Sequence, residues 1–233
     1  MGKLSSSSQT GKKRRPWLIR FIRLLWFCHL AFWSVVAFFC LLYIFVNPPI
    51  TPLMLQRYMI RGFDWHKREY IDLEKIPDST VDMTIVVEDG NFYRHYGFAI
   101  EEAKRAWKRN KTSGKIRFGA STISNQVART IFLTTDRNYL RKYLEAQVTV
   151  IMEILMTKNR MLELYLNYVE WGKGIYGIET ASLYYYGRSC SRISRDQSMK
   201  LVSILSSPIK YSPQTYSRSA SARQRYRMLN RYF

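Results

Sequence analysis

Cysteine and histidine are scarce in this 233-residue sequence, which holds only three of each. Cys28 and Cys40 fall inside a long apolar stretch, which leaves Cys190 alone and excludes an internal disulfide framework. No CxxC or HExxH motif occurs, and three histidines cannot build a usual zinc site. The composition therefore favours neither a disulfide-rich scaffold nor a zinc enzyme.

Long apolar runs are also rare, because only residues 24–46 are free of charge over a length that could span a bilayer. At about 1.5 Å of rise per residue, a helix of this length crosses a hydrocarbon core of about 30 Å. A single run excludes a polytopic transporter or channel. The alternatives are a buried core helix and a cleaved signal peptide, but the run lacks a polar stripe and no A-x-A-like site follows it. We interpret it as an uncleaved membrane anchor.

Acidic residues are few, 17 against 37 lysines and arginines, which gives a formal net charge of +20. Seven cations and no acid precede the apolar run, and residues 101–233 hold 24 cations against nine acids. Lys and Arg are enriched on the cytoplasmic side of membrane helices, so we expect a cytoplasmic N-terminus and a main domain outside the cytoplasm. The charge then suits anionic headgroups or a polyanionic substrate and argues against nucleic acid as the partner.

Composition divides the chain into four parts. We expect a basic cytoplasmic tail at 1–23, a transmembrane anchor at 24–46, a connecting region or linker at 47–80 and one domain at 81–233. Three prolines within residues 47–52 predict a stiff, non-helical exit from the membrane.

The domain is predicted to be mainly α-helical, because its apolar residues recur at helical spacing. One long helix is indicated by the apolar positions Leu140, Leu144, Val148, Ile151 and Leu155. Further helices are expected at 158–167, 178–186 and 195–205, and no stretch alternates cleanly enough to predict a sheet. Residues 84–87 have strand-type propensity, but propensity is a weak guide and we favour a helix end there.

Residues 88–97, EDGNFYRHYG, place two adjacent carboxylates after an apolar triplet. A carboxylate beside apolar surface loses solvation, which makes Glu88 a candidate general base. The structural alternative is an acidic helix end followed by a turn.

Residues 119–126, GASTISNQ, combine small residues, hydroxyls and amides shortly after Lys115 and Arg117. Such a stretch can donate hydrogen bonds to phosphate or sugar oxygens. The alternative is a helix N-cap at Ser121 or Thr122.

Arg141 and Glu145 lie four residues apart on the predicted long helix, with Lys142 beside them. These charges could bind an anionic substrate. The alternative is an exposed helical ion pair, in the less favourable order with the cation first.

Together these motifs resemble the peptidoglycan glycosyltransferase family, and most closely its monofunctional biosynthetic members. That family shows E-D-x-x-F-x-x-H-x-G, G-[GA]-S-T-I-x-Q-Q, R-K-x-x-E and K-x-x-I-L-E-x-Y-L-N in the order found here. The fourth motif corresponds to residues 158–167, and residues 169–174, VEWGKG, also resemble the monofunctional branch. The resemblance covers about residues 47–215.

The resemblance implies a mainly α, lysozyme-like glycosyltransferase domain behind one N-terminal transmembrane helix. It implies an enzyme of the bacterial inner membrane whose catalytic domain is periplasmic. The reaction would polymerise lipid II into glycan strands: the acceptor GlcNAc 4-hydroxyl attacks the donor MurNAc C1 with inversion and releases undecaprenyl pyrophosphate. Expected partners are lipid II, the growing strand, membrane lipids and other cell-wall synthesis proteins.

The resemblance also assigns roles to residues. Glu88 would be the base, and Glu145 a second catalytic carboxylate that orients cations or the donor sugar. The substrate-binding set that it implies is Asp89, His95, Ser121, Thr122, Gln126, Arg129, Arg141 and Lys142. Within this set the three cations would receive the pyrophosphate, while Asp89 and His95 hold the first motif in shape. No cofactor or protein-held metal is required, and a divalent cation, Mg²⁺ or Mn²⁺, is compatible with the pyrophosphate.

Two alternatives stay open at this point. Ala99, Asn125 and Arg129 stand where the family commonly has Asp, Gln and Lys, which motivates a non-catalytic, membrane-anchored scaffold that binds glycan or lipid. A lytic transglycosylase-like hydrolase would need a general acid rather than the set of cations. After about residue 216 the basic tail is expected to form a surface helix near lipid headgroups.

Overall fold

Helices dominate the computed structural model of the chain, which describes residues 16–63, 66–114, 121–136 and 138–233. The mainly α prediction is confirmed. Within the described residues the α-helices are α1 (Pro16–Phe45), α2 (Pro52–Arg61), α3 (Asp78–Glu88), α4 (Ile100–Ser113), α5 (Ile123–Phe132), α6 (Tyr139–Leu155), α7 (Lys158–Tyr168), α8 (Ile178–Tyr186), α9 (Arg195–Ile204) and α10 (Ala220–Tyr232). Short 3₁₀ turns occur at Leu73–Lys75, Phe92–Arg94, Cys190–Arg192 and Tyr216–Arg218.

Helix α1 contains the predicted anchor but begins eight residues earlier, so Arg20 and Arg23 lie on its first turns. Its apolar window has a mean hydropathy of 2.1, and only 11% of that window is buried. A core helix of a water-soluble domain would bury its apolar surface, so the core-helix alternative is wrong here. Helix α1 is long and apolar enough to cross a membrane, as a signal sequence also can be.

The predicted helices in the second half of the domain match α6, α7, α8 and α9 to within a residue or so at each end. Between α7 and α8 the chain forms an antiparallel hairpin that the sequence did not predict, of strands β1 (Glu170–Gly172) and β2 (Ile175–Tyr176). Strands of three and two residues are too short to show alternation, and the glycines between them were interpreted only as helix breaks.

Helix α5 is the centre of the domain, because it packs against both α6 and α7. Its inward face is formed by Ile123, Val127, Ala128 and Ile131, which are all buried. Since α5 also begins with the second motif, the packing of this helix decides where the hydroxyls and amides of that motif lie.

Helix α3 forms despite the strand-type propensity of its last residues. Thr80 and Thr84 are fully buried, the Thr80 hydroxyl donates to Ser198 Oγ on α9 at 3.0 Å, and the Thr84 hydroxyl donates to the Thr80 carbonyl at 2.9 Å. Packing on α9 therefore outweighs the local preference of β-branched residues. The helical register makes Glu88 the last residue of α3.

The later part of the predicted connecting region packs on the domain. Ile71 and Ile76 are buried, and Asn167 on α7 binds both backbone groups of Ile71. The Asn167 side chain accepts from the Ile71 N–H at 2.9 Å and donates to the Ile71 carbonyl at 2.8 Å. The Asn167 side-chain amide thus pairs with Ile71 as the backbone of a neighbouring strand would, and it holds the connecting segment on the domain.

The basic tail is a helix, α10, but it packs on α9 and α3 instead of lying only at the surface. Ala222 and Leu229 are fully buried, and the Tyr226 hydroxyl donates to Asp196 at 2.7 Å. That hydrogen bond raises the pKa of Tyr226 to about 12, so its hydroxyl stays protonated and able to donate. The prediction of a helix in this tail is confirmed, and its placement near lipid headgroups stays a prediction.

Replacing Asn167 tests how the connecting segment is held. Asn167→Ala leaves the buried N–H and C=O of Ile71 unpaired, so the free energy of unfolding should fall by about 2–4 kcal/mol. Chemical denaturation of the full chain in detergent, followed by circular dichroism, measures it. Asn159 on the same helix makes an exposed bond to Tyr93, so Asn159→Ala is the matched control and should change stability by about 0.5 kcal/mol or less. Equal losses in the two variants would show that the amide does not hold the segment.

Candidate active site

Glu88, at the end of α3, is almost closed off from solvent, with 9% of its side chain exposed. Its Oε2 accepts a hydrogen bond from Gln126 Nε2 on α5 at 2.9 Å, and its Oε1 pairs with the guanidinium of Arg225 on α10. Three helices distant in sequence thus meet at one carboxylate. A carboxylate that two donors hold in a fixed orientation is suited to accept a proton from a group bound beside it.

Sequence reasoning missed Arg225 as a member of this site, because the cations of the tail were treated as one basic surface. Ala222 and Leu229 lie three residues before and four residues after Arg225, which places all three on one face of α10. This spacing was the signal in the sequence that could have identified Arg225 as facing the domain.

Arg129, which the resemblance assigned to the substrate, belongs to the same group of charges. Tyr165 on α7 is buried beside Gln126, with its hydroxyl 3.5 Å from Gln126 Oε1. Burial and the nearby Glu88 carboxylate raise the pKa of Tyr165 well above its ordinary value, while Arg225 and Arg129 oppose the shift. Tyr165 therefore stays a neutral phenol among these charges. Among the described residues no carboxylate forms an ion pair with Arg129.

Asp89 and His95 lock the first motif onto α5. The Asp89 carboxylate accepts from His95 Nε2 at 2.9 and 3.0 Å and from the backbone N–H of Ile123 at 2.9 Å. Asp89 is buried, and it lies at the positive N-terminal end of α5. Both side chains are thus engaged with the fold, and they fix the position of Glu88 next to them.

Thr122 is the N-cap of α5, as the structural alternative proposed. Its hydroxyl oxygen accepts from the Asn125 N–H at 3.1 Å, and its single proton goes to the Gly97 carbonyl at 2.7 Å. The hydroxyl therefore has no proton left to donate to a substrate. Asn125, one of the departures from the family pattern, donates from Nδ2 to Gly97 and to Thr149 Oγ1, both at 3.1 Å.

Ser121 lies at the wall of a small pocket of about 160 Å³ that also holds Glu88. Its lining residues are Val86, Val87, Glu88, Asp89, Gly90, Ala99, Glu102, Ser121 and Thr122. The part of the second motif before Ser121, which begins at Gly119, and the preceding cations Lys115 and Arg117 lie outside the described residues.

A second charged cluster surrounds Glu145 on α6, which is only 1% exposed. Both of its oxygens are paired, one with Arg141 and one with Lys142. The alternative of an exposed ion pair is therefore wrong, because the carboxylate is buried. Lys142 keeps 54% of its side chain exposed and can reach a ligand, whereas Arg141 is mostly covered.

The two charged clusters do not touch. Within the described residues neither Arg141 nor Lys142 forms an ion pair with Glu88, whose cationic partner is Arg225. They are linked through α5, where Gln126 binds Glu88 and its neighbour Asn125 binds Thr149, one turn after Glu145. That both clusters face one groove stays a prediction.

Another network that sequence reasoning missed closes the other side of α5. Glu153 on α6 accepts from Ser124 Oγ at 2.5 Å and from Lys158 Nζ at 2.7 Å. Lys158 also lies over the ring of Phe92, 4.6 Å from its centre. The first and fourth motifs are thereby joined. Phe92 itself is fully buried.

No metal centre is evident in the described ranges, where no three His, Cys, Asp or Glu side chains are grouped to hold an ion. Glu88 and Asp89 are neighbours, but Asp89 is engaged by His95 and the α5 backbone.

Comparison with known proteins places the chain among relatives of one kind. The family model described as Transglycosylase matches residues 56–232. A protein of Caulobacter vibrioides named biosynthetic peptidoglycan transglycosylase is 41% identical over 195 residues, which cover 83% of this chain and 82% of that protein. A protein of the same name from Pseudomonas aeruginosa is 40% identical over 190 residues, which cover 78% of this chain and 82% of that protein. Another from Cupriavidus metallidurans is 34% identical over 195 residues, which cover 82% of this chain and 79% of that protein.

Gly97 tests the contact between the first motif and α6. Its φ is +79°, and a Cβ there would lie 2.6 Å from Thr149 Cγ2. Gly187 has a similar φ of +68° and open space around it, so Gly187→Ala isolates backbone strain, which costs about 1–2 kcal/mol. Gly97→Ala adds overpacking, so the free energy of unfolding should fall by about 1–3 kcal/mol more.

Thermal unfolding of the full-length variants in detergent measures the two losses. Hydrogen exchange at the first turn of α5 should also quicken in Gly97→Ala and not in Gly187→Ala. Equal destabilisation by the two substitutions would contradict a close contact at Gly97.

Proposed function

Because the chain belongs to the transglycosylase family, we propose that it is a peptidoglycan transglycosylase, an enzyme that extends the glycan strands of the bacterial cell wall. The observation that carries this proposal is the Glu88 carboxylate, nearly buried and held by Gln126 and Arg225 at the wall of a small pocket. A carboxylate in this setting can take the proton from a sugar hydroxyl.

We infer that the substrate is lipid II, a disaccharide-pentapeptide on a polyprenyl pyrophosphate. The 4-hydroxyl oxygen of the acceptor GlcNAc forms a bond to C1 of the donor MurNAc, while the bond from C1 to the pyrophosphate oxygen breaks. The electron pair of that bond leaves with undecaprenyl pyrophosphate, and attack from the opposite face inverts C1. Glu88 receives the hydroxyl proton and returns it to solvent.

The geometry at Glu88 supports this role in one specific way. Gln126 and Arg225 each occupy one oxygen of the carboxylate, and each oxygen has a second lone pair. One lone pair on each oxygen therefore stays available, and either can accept from the acceptor hydroxyl. Ser121, at the wall of the same pocket, would bind a neighbouring sugar oxygen.

The leaving pyrophosphate needs positive charge rather than a proton, because it departs as a stable anion. Arg129, near Tyr165, and Lys142, with its exposed side chain, would supply that charge by charge-assisted hydrogen bonds. Glu145 would hold Arg141 and Lys142 in place. Since both oxygens of Glu145 already accept from cations, it is unsuited to the general-acid role that a hydrolase requires.

We propose that α1 anchors the enzyme in the bacterial inner membrane, with the N-terminus in the cytoplasm and the catalytic domain in the periplasm. The seven cations before the apolar run support this orientation. An anchored enzyme searches for its lipid-borne substrate in two dimensions, which raises the effective concentration. We further expect contacts with anionic lipids and other cell-wall synthesis proteins. A divalent cation, if used, would be carried by the pyrophosphate.

The direct test is polymerisation of labelled lipid II by the purified full-length protein in detergent or vesicles. We expect polymeric glycan from the wild type and essentially none from Glu88→Gln, which keeps the shape of the side chain but removes the base. Glu69→Gln is the matched control, because Glu69 pairs with Lys67 on the surface and should leave the rate unchanged.

The same assay separates the alternatives. No polymer from well-folded wild type would refute the proposal and favour the non-catalytic scaffold. Shortening of preformed glycan would favour the hydrolase.

Arg225 provides a second prediction. Arg225→Gln removes the charged fork that orients Glu88, and because misplacement of a reacting group by about 1 Å can cost 100-fold, we expect kcat to fall by about that factor. Arg225→Lys keeps the charge without the forked guanidinium, so its kcat should lie between those of the wild type and Arg225→Gln.

Arg223→Gln is the control for Arg225, because the exposed Arg223 side chain binds the Ser217 carbonyl and, among the described residues, forms no ion pair with a carboxylate. Its polymerisation rate should match that of the wild type. If Arg225→Gln also polymerises at the wild-type rate, Arg225 does not orient the base.

A further inference from the structure

One arginine of the domain, Arg160, forms hydrogen bonds with the C-terminal end of α1. Arg160 on α7 donates from Nε to the Tyr43 carbonyl at 2.7 Å and from Nη2 to Asn47 Oδ1 at 2.7 Å. A longer bond of 3.4 Å reaches the Val46 carbonyl. A single guanidinium therefore spans the last turn of α1 and the first two residues beyond it.

The position of Arg160 is in turn fixed from within the domain. Its Nη1 donates to the Tyr70 hydroxyl at 2.8 Å and lies 3.2 Å from Glu163 Oε1, while Tyr70 and Glu163 also bind each other. The Arg160 side chain is 12% exposed. Burial and the bond to Glu163 raise the pKa of Tyr70, so its hydroxyl remains protonated. Arg160 is thus held by two partners behind it and is not a surface side chain that happens to reach α1.

A second set of contacts holds the next residue of the chain, Pro48. The Pro48 carbonyl accepts from Arg68 at 2.9 Å and from the Tyr168 hydroxyl at 2.6 Å. The Arg68 guanidinium also stacks over the Tyr168 ring at 4.2 Å. Proline at positions 48 and 49 restricts the backbone here, so the exit has little freedom of its own.

The last carbonyls of a helix have no partner within the helix and carry its partial negative charge. In α1 the Tyr43 carbonyl is one of them, and a cation satisfies it from the domain side. Such a bond fixes direction as well as distance, because the carbonyl points along the helix axis. Helix α1 also packs along α6, where Trp33 donates to Gln147 and His29 binds the Tyr143 hydroxyl, so the domain contacts α1 within its apolar stretch as well as at its end.

We propose that Arg160 is a positioning residue for the reaction: together with the packing of α1 on α6 it fixes the angle between the membrane helix and the domain, and so sets how the active site is presented to the bilayer. The proposal rests on the proposed function and on the membrane placement of α1. A lipid-borne donor can present its pyrophosphate only at the depth of the headgroups. A domain that tilts freely on its anchor would spend less time with its charged clusters at that depth.

Arg160→Gln tests the proposal in the full-length protein, with polymerisation of lipid II measured in vesicles and in detergent micelles. In vesicles kcat/KM should fall about tenfold, chiefly through KM, because misorientation lowers productive encounters. In micelles, where no flat bilayer fixes the depth of the substrate, the rate should stay within about twofold of the wild type. Arg160→Lys should restore part of the loss, since it keeps one charged donor.

A distance measurement shows whether the angle itself changes. Cys28 is exposed on α1, so spin labels on Cys28 and on a Ser191→Cys substitution in the domain report the helix angle in vesicles. The distribution should be narrow with Arg160 and broad in Arg160→Gln. Arg192→Gln, at an exposed position away from α1, is the control and should change neither the distances nor the vesicle rate.

Three outcomes would overturn the proposal, and a fourth would refute the proposed function on which it rests. An unchanged distance distribution in Arg160→Gln overturns the proposal, as does a broad distribution with an unchanged vesicle rate. Equal losses in micelles and vesicles would also overturn it, because they indicate a general defect of folding or catalysis. Absence of polymer from the wild type would instead refute the proposed function, which the distance data do not depend on.

Discussion

The carboxylate of Glu88 is held between an amide on α5 and a guanidinium on α10, and the rest of the site is arranged around this one interaction. Removing a nearly buried carboxylate from water is costly unless charged or polar partners compensate it. Here the compensation comes from helices separated by 38 and 137 residues in sequence from Glu88. The site therefore exists only when α3, α5 and α10 are docked, which couples folding of the C-terminal helix to the candidate chemistry.

Helix α5 connects the two charged clusters. Its N-terminus is tied by Asp89 and capped by Thr122, and its next residues meet Glu88 on one side and α6 on the other. Asn125 serves this purpose in place of the glutamine common in the family, since its amide fits between Gly97 and Thr149. That departure is thus accommodated by the packing around Asn125. A comparable connection joins α7 to the end of α1 through Arg160.

Sequence reasoning recovered what depends on local order. Helical spacing predicted α6 to α9, the ordered motifs indicated Glu88 and Glu145, and the apolar run located the anchor. It could not predict which of several tail arginines reaches Glu88, because that choice depends on how α10 docks. Nor could it predict that the Thr122 hydroxyl donates to the Gly97 carbonyl or that Glu145 is buried with Arg141 and Lys142 as partners; that Thr122, Arg141 and Lys142 bind substrate stays a prediction. These misses share a cause: polar side chains choose partners in space, and spacing along the chain does not reveal them.

The central claim is that Glu88 and Arg225 act as one unit, and a double-mutant cycle measures this coupling most directly. The rate of glycan polymerisation would be determined for the wild type, Glu88→Gln, Arg225→Gln and the protein carrying both substitutions. If the guanidinium works only by orienting the carboxylate, the double variant should be no slower than Glu88→Gln alone. If the two losses multiply instead, Arg225 acts independently of Glu88, and the claim that the two residues form one unit is contradicted.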